Sequence, residues 1–182
     1  MRQKLKNLTQ AQTIALGFFI VILMGTLLLM LPISSKNGQS IGFIPALFTS
    51  ASASCVTGLV VVDTYTHWST FGQIVIITLI QIGGLGFITL GVLFSLLLNR
   101  NINLKQRTLI RESVNSIHIG GVVKLVKKII IGTFAIELIG AVIMSFFFIP
   151  ELGFTRGVYY SVFHSISAFC NAGFDILGSQ DC

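Results

Sequence analysis

The chain has 182 residues, of which 53% are apolar and only 10% charged, and its mean hydropathy is +0.89. This excludes an ordinary soluble domain, in which about 25% of residues are charged. The formal charge of +6 would suit a nucleic-acid partner, but the basic residues cluster beside apolar stretches, so they are read as membrane topology and no nucleic-acid partner is expected.

Arg2, Lys4 and Lys6 precede a first span predicted over 13–31. It is too long for a signal-peptide core and has no clear small-residue cleavage site. It is therefore read as retained, with a signal anchor as the alternative. Pro32 ends it. Residues 41–62 are apolar and Ser/Thr-rich but broken at Gly58. They predict a half-length helix over 42–54, about 18–20 Å long, and a loop at 55–60 from which the chain turns back. Irregular backbone at membrane depth is tolerated only where it lines a water-filled cavity or is buried in protein. A re-entrant loop therefore points to a pore, and a short buried helix with a glycine turn is the alternative.

A second span is expected over 71–98, interrupted by Gly83, Gly84 and Gly86, which read as a close-packing surface or a gating hinge. Arg100, Lys105, Arg107, Arg111, Lys124, Lys127 and Lys128 follow in a basic linker over 100–128, whose amphipathic part suits anionic lipid. A third span over 129–149 stops at Pro150. Inside it lies Glu137, costing on the order of 3 kcal/mol if charged, which reads as a support for the second loop or as a packing contact. A second half-length helix is predicted over 157–170 and a second loop over 171–174. With three alternating spans both basic clusters share one side, which the positive-inside rule makes cytoplasmic, together with the N-terminus.

Shifting the chain by 115 residues superposes 48–58 on 163–173 with six identities: Phe48/Phe163, Ser50/Ser165, Ser52/Ser167, Ala53/Ala168, Cys55/Cys170 and Gly58/Gly173. Each copy follows an apolar span that stops at a proline, so the chain reads as a first membrane unit over 1–99, the linker, and a partial second unit over 129–182. Neither loop turn carries an ionised side chain. Backbone carbonyls are then the strongest ligands available, and they suit a cation shedding its hydration shell. Each half-helix would also aim the partly negative C-terminal end of its dipole at the cavity. Asp63 and Asp175 lie just outward of the glycines and are candidates for an entrance role, or for hydrogen bonds to the loop backbone.

Other side chains read more plainly. His67, His118 and His164 form no ligand cluster and read as packing residues. Ser50, Ser52, Ser165 and Ser167 lack a base and read as local hydrogen bonders on the half-helices. Cys55, Cys170 and Cys182 make no disulfide framework or metal spacing, and the first two read as small buried residues. With Ser, His and Glu137 at no catalytic spacing, no enzyme is expected.

The paired loops, the run QIGGLGFIT over 81–89 and the order helix, pore loop, helix resemble the Trk/Ktr/HKT superfamily of potassium transporters, nearest to its bacterial KtrB-type membrane subunits. The resemblance implies an all-α integral membrane fold of the potassium-channel type in the cell membrane, with four units around one pore. It implies that Val56, Thr57, Gly58 and Leu59 line one filter quarter and Asn171, Ala172, Gly173 and Phe174 a second. It further implies K+ as the transported ion, Na+ as a candidate coupling ion, no covalently bound cofactor, a homodimer at full length in the lipid bilayer, and a cytosolic nucleotide-binding regulatory ring. A glycine in the first loop is the version that the superfamily associates with potassium permeation. The chain ends nine residues after Gly173, so a fragment of a longer protein is expected. A short channel subunit that oligomerises, or a non-conducting membrane fragment, is the alternative.

Overall fold

A computed structural model describes residues 10–86 and 122–178. In chain order its helices are α1 (Gln10–Leu29), α2 (Phe43–Cys55), α3 (Thr64–His67), α4 (Thr70–Leu85), α5 (Val122–Leu152) and α6 (Phe154–Phe169), with a 3-10 turn over Pro32–Ser34. The described residues contain no strand beyond one isolated bridge between Ser35 and Trp68.

α1 and α5 are the two described helices long and apolar enough to cross a membrane, and only 17% and 22% of their apolar windows is buried. A core helix of a soluble protein would be mostly covered. Here large side chains such as Leu27, Leu138, Phe146 and Phe147 face outward, an apolar surface that suits lipid or further protein rather than water. The 31 residues of α5 make a rod of about 46 Å, longer than the hydrocarbon core of about 30 Å. It includes residues before the expected 129 because Lys124, Lys127 and Lys128 interrupt the apolar run without ending the helix, lysine being a good helix former. The other linker residues, 100–121, lie outside the described residues, as does the expected second span beyond Gly86.

Pro150 does not stop the third span. It sits inside the last turn of α5, which runs on to Leu152 and ends where Gly153, at φ 79°, bonds its N–H to the Ile149 carbonyl at 3.0 Å. The stop is glycine chemistry. Pro32 behaves differently: it lies beyond the end of α1 and opens the short 3-10 turn.

Both half-length helices pack against the preceding long helix. α2 has 13 residues and α6 has 16, about 20 and 24 Å, and a glycine with positive φ starts each, Gly42 for α2 and Gly153 for α6. Close approach depends on small residues. A Cβ on Gly157 would stand 2.6 Å from the Ile149 Cα, so α6 lies directly on the end of α5. The core joins Leu29, Ala46, Ala53, Trp68, Ile76 and Ile80 of the first unit to Tyr160, Phe163, Phe174 and Ile176 of the second. At one end the turn after α1 is laced to the start of α4: Ser69 N–H donates to the Ser34 carbonyl at 2.9 Å, and Lys36 N–H to that of His67 at 2.9 Å.

Candidate functional site

The two loops leave their half-helices by the same backbone path. In the first, Val56 N–H donates to the Ala53 carbonyl at 3.3 Å and Thr57 N–H to Ser52 at 3.0 Å; in the second, Asn171 donates to Ala168 at 3.0 Å and Ala172 to Ser167 at 2.8 Å. Every partner is displaced by the 115-residue repeat. Val56 and Asn171 are the two non-glycine residues with positive φ among the described residues, at 57° and 56°. Asparagine tolerates that region; a β-branched valine there is strained. Two residues on, Gly58 and Gly173 take φ 75° and 70°, reversing the chain where an L side chain would be strained.

The turns meet. A Cβ on Gly58 would stand 2.8 Å from the Ala172 carbonyl oxygen and 3.3 Å from the Gly173 Cα. The glycines thus serve both their own turns and the approach of one loop to the other. Behind them, consecutive glycines of α4 receive the ends of the two half-helices. A Cβ on Gly83 would collide with the Ser54 carbonyl at the end of α2, and one on Gly84 would stand 2.5 Å from Cys170 Sγ at the end of α6. Gly86 caps α4 at φ 76°. A cavity of about 330 Å³ opens beside the second loop, where Asn171, Gly173, Asp175 and His164 contribute to its wall.

The profile of the TrkH cation transport protein family matches residues 2–180. The chain belongs to this family. It is 48% identical over 175 residues to the potassium/sodium uptake protein NtpJ of Enterococcus hirae, covering 96% of this chain and 39% of that protein. It is 51% identical over 168 residues to the Ktr system potassium uptake protein B of Bacillus subtilis (92% and 37% covered), and 42% identical over 171 to that of Vibrio alginolyticus (94% and 37%). The TrkH-family chain thus spans about two-fifths of the length of these relatives.

The serines hold the half-helices to the spans. Ser50 Oγ on α2 donates to the Ile22 carbonyl of α1 at 2.8 Å, and Ser165 Oγ on α6 to the Glu137 carbonyl of α5 at 2.6 Å. Donors and acceptors are again 115 apart. Gly25 and Gly140, also 115 apart, leave the room, since a Cβ on either would run into the facing Ser Oγ. These two bonds correct the expectation of local bonding. The signal was legible: the same shift that pairs the serines pairs Gly25 with Gly140. Ser52 and Ser167 bond to their own loops rather than within the half-helices, to Thr57 Oγ1 at 2.9 Å and the Phe174 carbonyl at 2.6 Å.

The carboxylates divide. Asp63 caps α3, accepting from Thr66 N–H at 2.6 Å, and Asp175 accepts from Leu177 N–H at 3.2 Å. Partial burial pushes the Asp63 carboxyl up, but hydrogen bonds from Thr66 and Tyr65 and the Lys36 charge outweigh it and leave the group below its ordinary value. Glu137 is buried and accepts from the Gln81 amide at 2.9 Å, tying α5 to α4. A second tie between the units runs from Tyr159 Oη to Gln73 Oε1 at 3.0 Å; two glutamines inside an apolar stretch were its available signal, since polar groups in spans bond across helices.

Of the other candidates, Cys55 is exposed and Cys170 half-buried, so the reading of Cys55 as buried is corrected; it lies at the end of α2 beside the turn, outside the helix packing. His118 lies outside the described residues. His67 stacks edge-on against Trp68, and His164 does more than pack, as shown below. Among the described residues no group of three His, Cys, Asp or Glu could hold a metal ion.

Proposed function

We propose that this chain forms two adjoining walls of a potassium filter in the cell membrane and takes part in inward K+ conduction by a Ktr/Trk-type uptake system. The observation that carries this reading is the repeated left-handed turn at the C-terminal end of each half-helix, with Gly58 and Gly173 against one another. Turns of this kind aim successive carbonyls of 56–59 and 171–173 at one space, while the Phe174 carbonyl is taken up by Ser167 Oγ, and the helix ends add partial negative charge there. A cation is stabilised without a fixed carboxylate, so it binds and still leaves. The names of the relatives, potassium or potassium/sodium uptake proteins, support K+ as cargo and Na+ as the coupling candidate.

In this reading the N-terminus and the basic linker face the cytoplasm, where a nucleotide-binding ring contacts the linker. The outer flank of the first loop, with Leu59, Val60 and Val61 exposed, is covered by further loops that complete the ring, and two complete rings pair as a homodimer. Asp63 and Asp175 raise the cation concentration at the mouth. Neutralising both should lower uptake more at low than at high ionic strength; an equal loss at both speaks against steering.

The filter itself is tested by expressing the gene that carries this sequence in bacteria lacking their own potassium uptake. Growth at low potassium should be restored, and Gly58→Ser should reduce uptake by about tenfold or more, because strain at positive φ and contact with the Ala172 carbonyl cost on the order of 1–3 kcal/mol. Uptake untouched by Gly58→Ser would remove the filter reading.

A further inference from the structure

The two loops differ after the glycine. In the first, Leu59, Val60 and Val61 are exposed. In the second, the outgoing leg is extended along α6, with Phe174 and Ile176 both buried on one side and Asp175 between them. Two side chains of α6 hold this leg. Ser167 Oγ donates to the Phe174 carbonyl at 2.6 Å, and His164 Nε2 accepts the Ile176 N–H at 3.3 Å. The other ring nitrogen, Nδ1, lies 2.8 Å from the Tyr160 carbonyl of the preceding turn. One protonation state satisfies both contacts: neutral imidazole with its proton on Nδ1, donating to Tyr160 and leaving the Nε2 lone pair for Ile176. Phe148 and Phe163 flank the ring at centroid distances of 5.4 and 5.8 Å and fix its plane.

The first repeat has no such brace. Thr49 stands where His164 stands in the second, and its hydroxyl turns back to the Pro45 carbonyl of its own helix at 2.9 Å. We infer that His164 is a positioning residue of the second loop, whose Nε2 lone pair anchors the Ile176 amide and, together with Ser167 at the Phe174 carbonyl, thereby sets the direction of the Asn171–Gly173 carbonyls. The two walls are then unequal on their outgoing legs among the described residues: the second leg is held from its own half-helix, whereas the first, beyond the Ser52–Thr57 contact, is open on its flank. The inference rests on the filter reading for its consequence, but the brace itself can be measured without transport.

Two substitutions separate the lone pair from the ring. His164→Phe keeps an aromatic body between Phe148 and Phe163 and removes the acceptor. His164→Gln loses the ring and returns an acceptor oxygen near the position of Nε2. In the purified protein reconstituted in lipid, amide hydrogen exchange at Ile176 should be about five- to tenfold faster in His164→Phe than in the parent, the scale of one lost hydrogen bond, and close to the parent in His164→Gln. In cells, His164→Phe should lower the preference for potassium over sodium by up to about the same factor, with His164→Gln restoring most of it. Unchanged exchange in His164→Phe, or parental behaviour in His164→Phe with loss in His164→Gln, would overturn the brace in favour of ring packing. Faster exchange at Ile176 in His164→Phe, with a parent protein that takes up no potassium, would leave the brace standing and sink the filter reading.

Discussion

Asp63 and His67 stand four residues apart, at the N-cap and the last residue of α3, and both respond to acid. Burial pulls the His67 imidazole below its ordinary value, and its Nε2 has no hydrogen-bond partner among the described residues. Above about pH 6.5 folded and unfolded chains both hold His67 neutral, so it contributes no pH dependence. As pH falls through that value the unfolded chain takes up a proton that the folded one resists, and stability declines until the lowered folded value is passed. Asp63 acts in a more acidic window. Its contribution is complete above the ordinary carboxylate value and is lost as pH falls through the lowered folded value. Melting temperatures across a pH series should therefore show the upper decline flattened in His67→Gln. The acid limb should be flattened in Asp63→Asn, which keeps an N-cap acceptor. If neither curve departs from the parent's, α3 does not couple protons to folding.

At the scale of elements, the repeat makes two versions of one joint, and they differ in tolerance. A Cβ on Gly140 would meet Ser165 Oγ at 2.5 Å and then only Ser165 Cβ at 3.5 Å, whereas a Cβ on Gly25 would also meet Leu79 Cδ1 at 2.7 Å. Gly140→Ala should cost about 1–3 kcal/mol by overpacking. Adding Ser165→Ala removes the offending oxygen, so the double variant should recover much of that loss, less the value of the Ser165 hydrogen bond, about 0.5–1.5 kcal/mol. Gly25→Ala with Ser50→Ala should recover far less. Denaturation of the six variants in detergent, arranged as two double-mutant cycles, measures both couplings; equal couplings would mean that the joints are interchangeable.

Across the whole molecule, the units are held by polar bonds inside apolar surroundings. Glu137 accepts from Gln81, whose own Oε1 is buried without a partner among the described residues. Glu137→Gln can still accept from Gln81 and can also donate to that orphan oxygen, so it should be neutral or stabilising. Glu137→Ala should cost about 1–3 kcal/mol by stranding the Gln81 amide. Thermal stability and uptake of the two variants check this, and equal loss in both would require the carboxylate charge itself. Gly83 and Gly84 belong to the same scale, because α4 holds the ends of both half-helices only where it has no side chain.

The membrane class, the half-length helices, the paired glycine turns and the family resemblance were legible from composition, run length and the 115-residue shift. Each is written in local sequence: solvent decides hydropathy, bilayer thickness decides span length, and positive φ decides glycine. Tertiary structure decided what one residue does to another far along the chain. It turned Ser50 and Ser165 from local bonders into cross-helix donors, set Gly83 and Gly84 under the two half-helices, and joined Glu137 to Gln81. It also gave His164 an amide to hold twelve residues away. Those outcomes depend on which backbones approach within hydrogen-bond reach, and that distance is fixed by packing between elements.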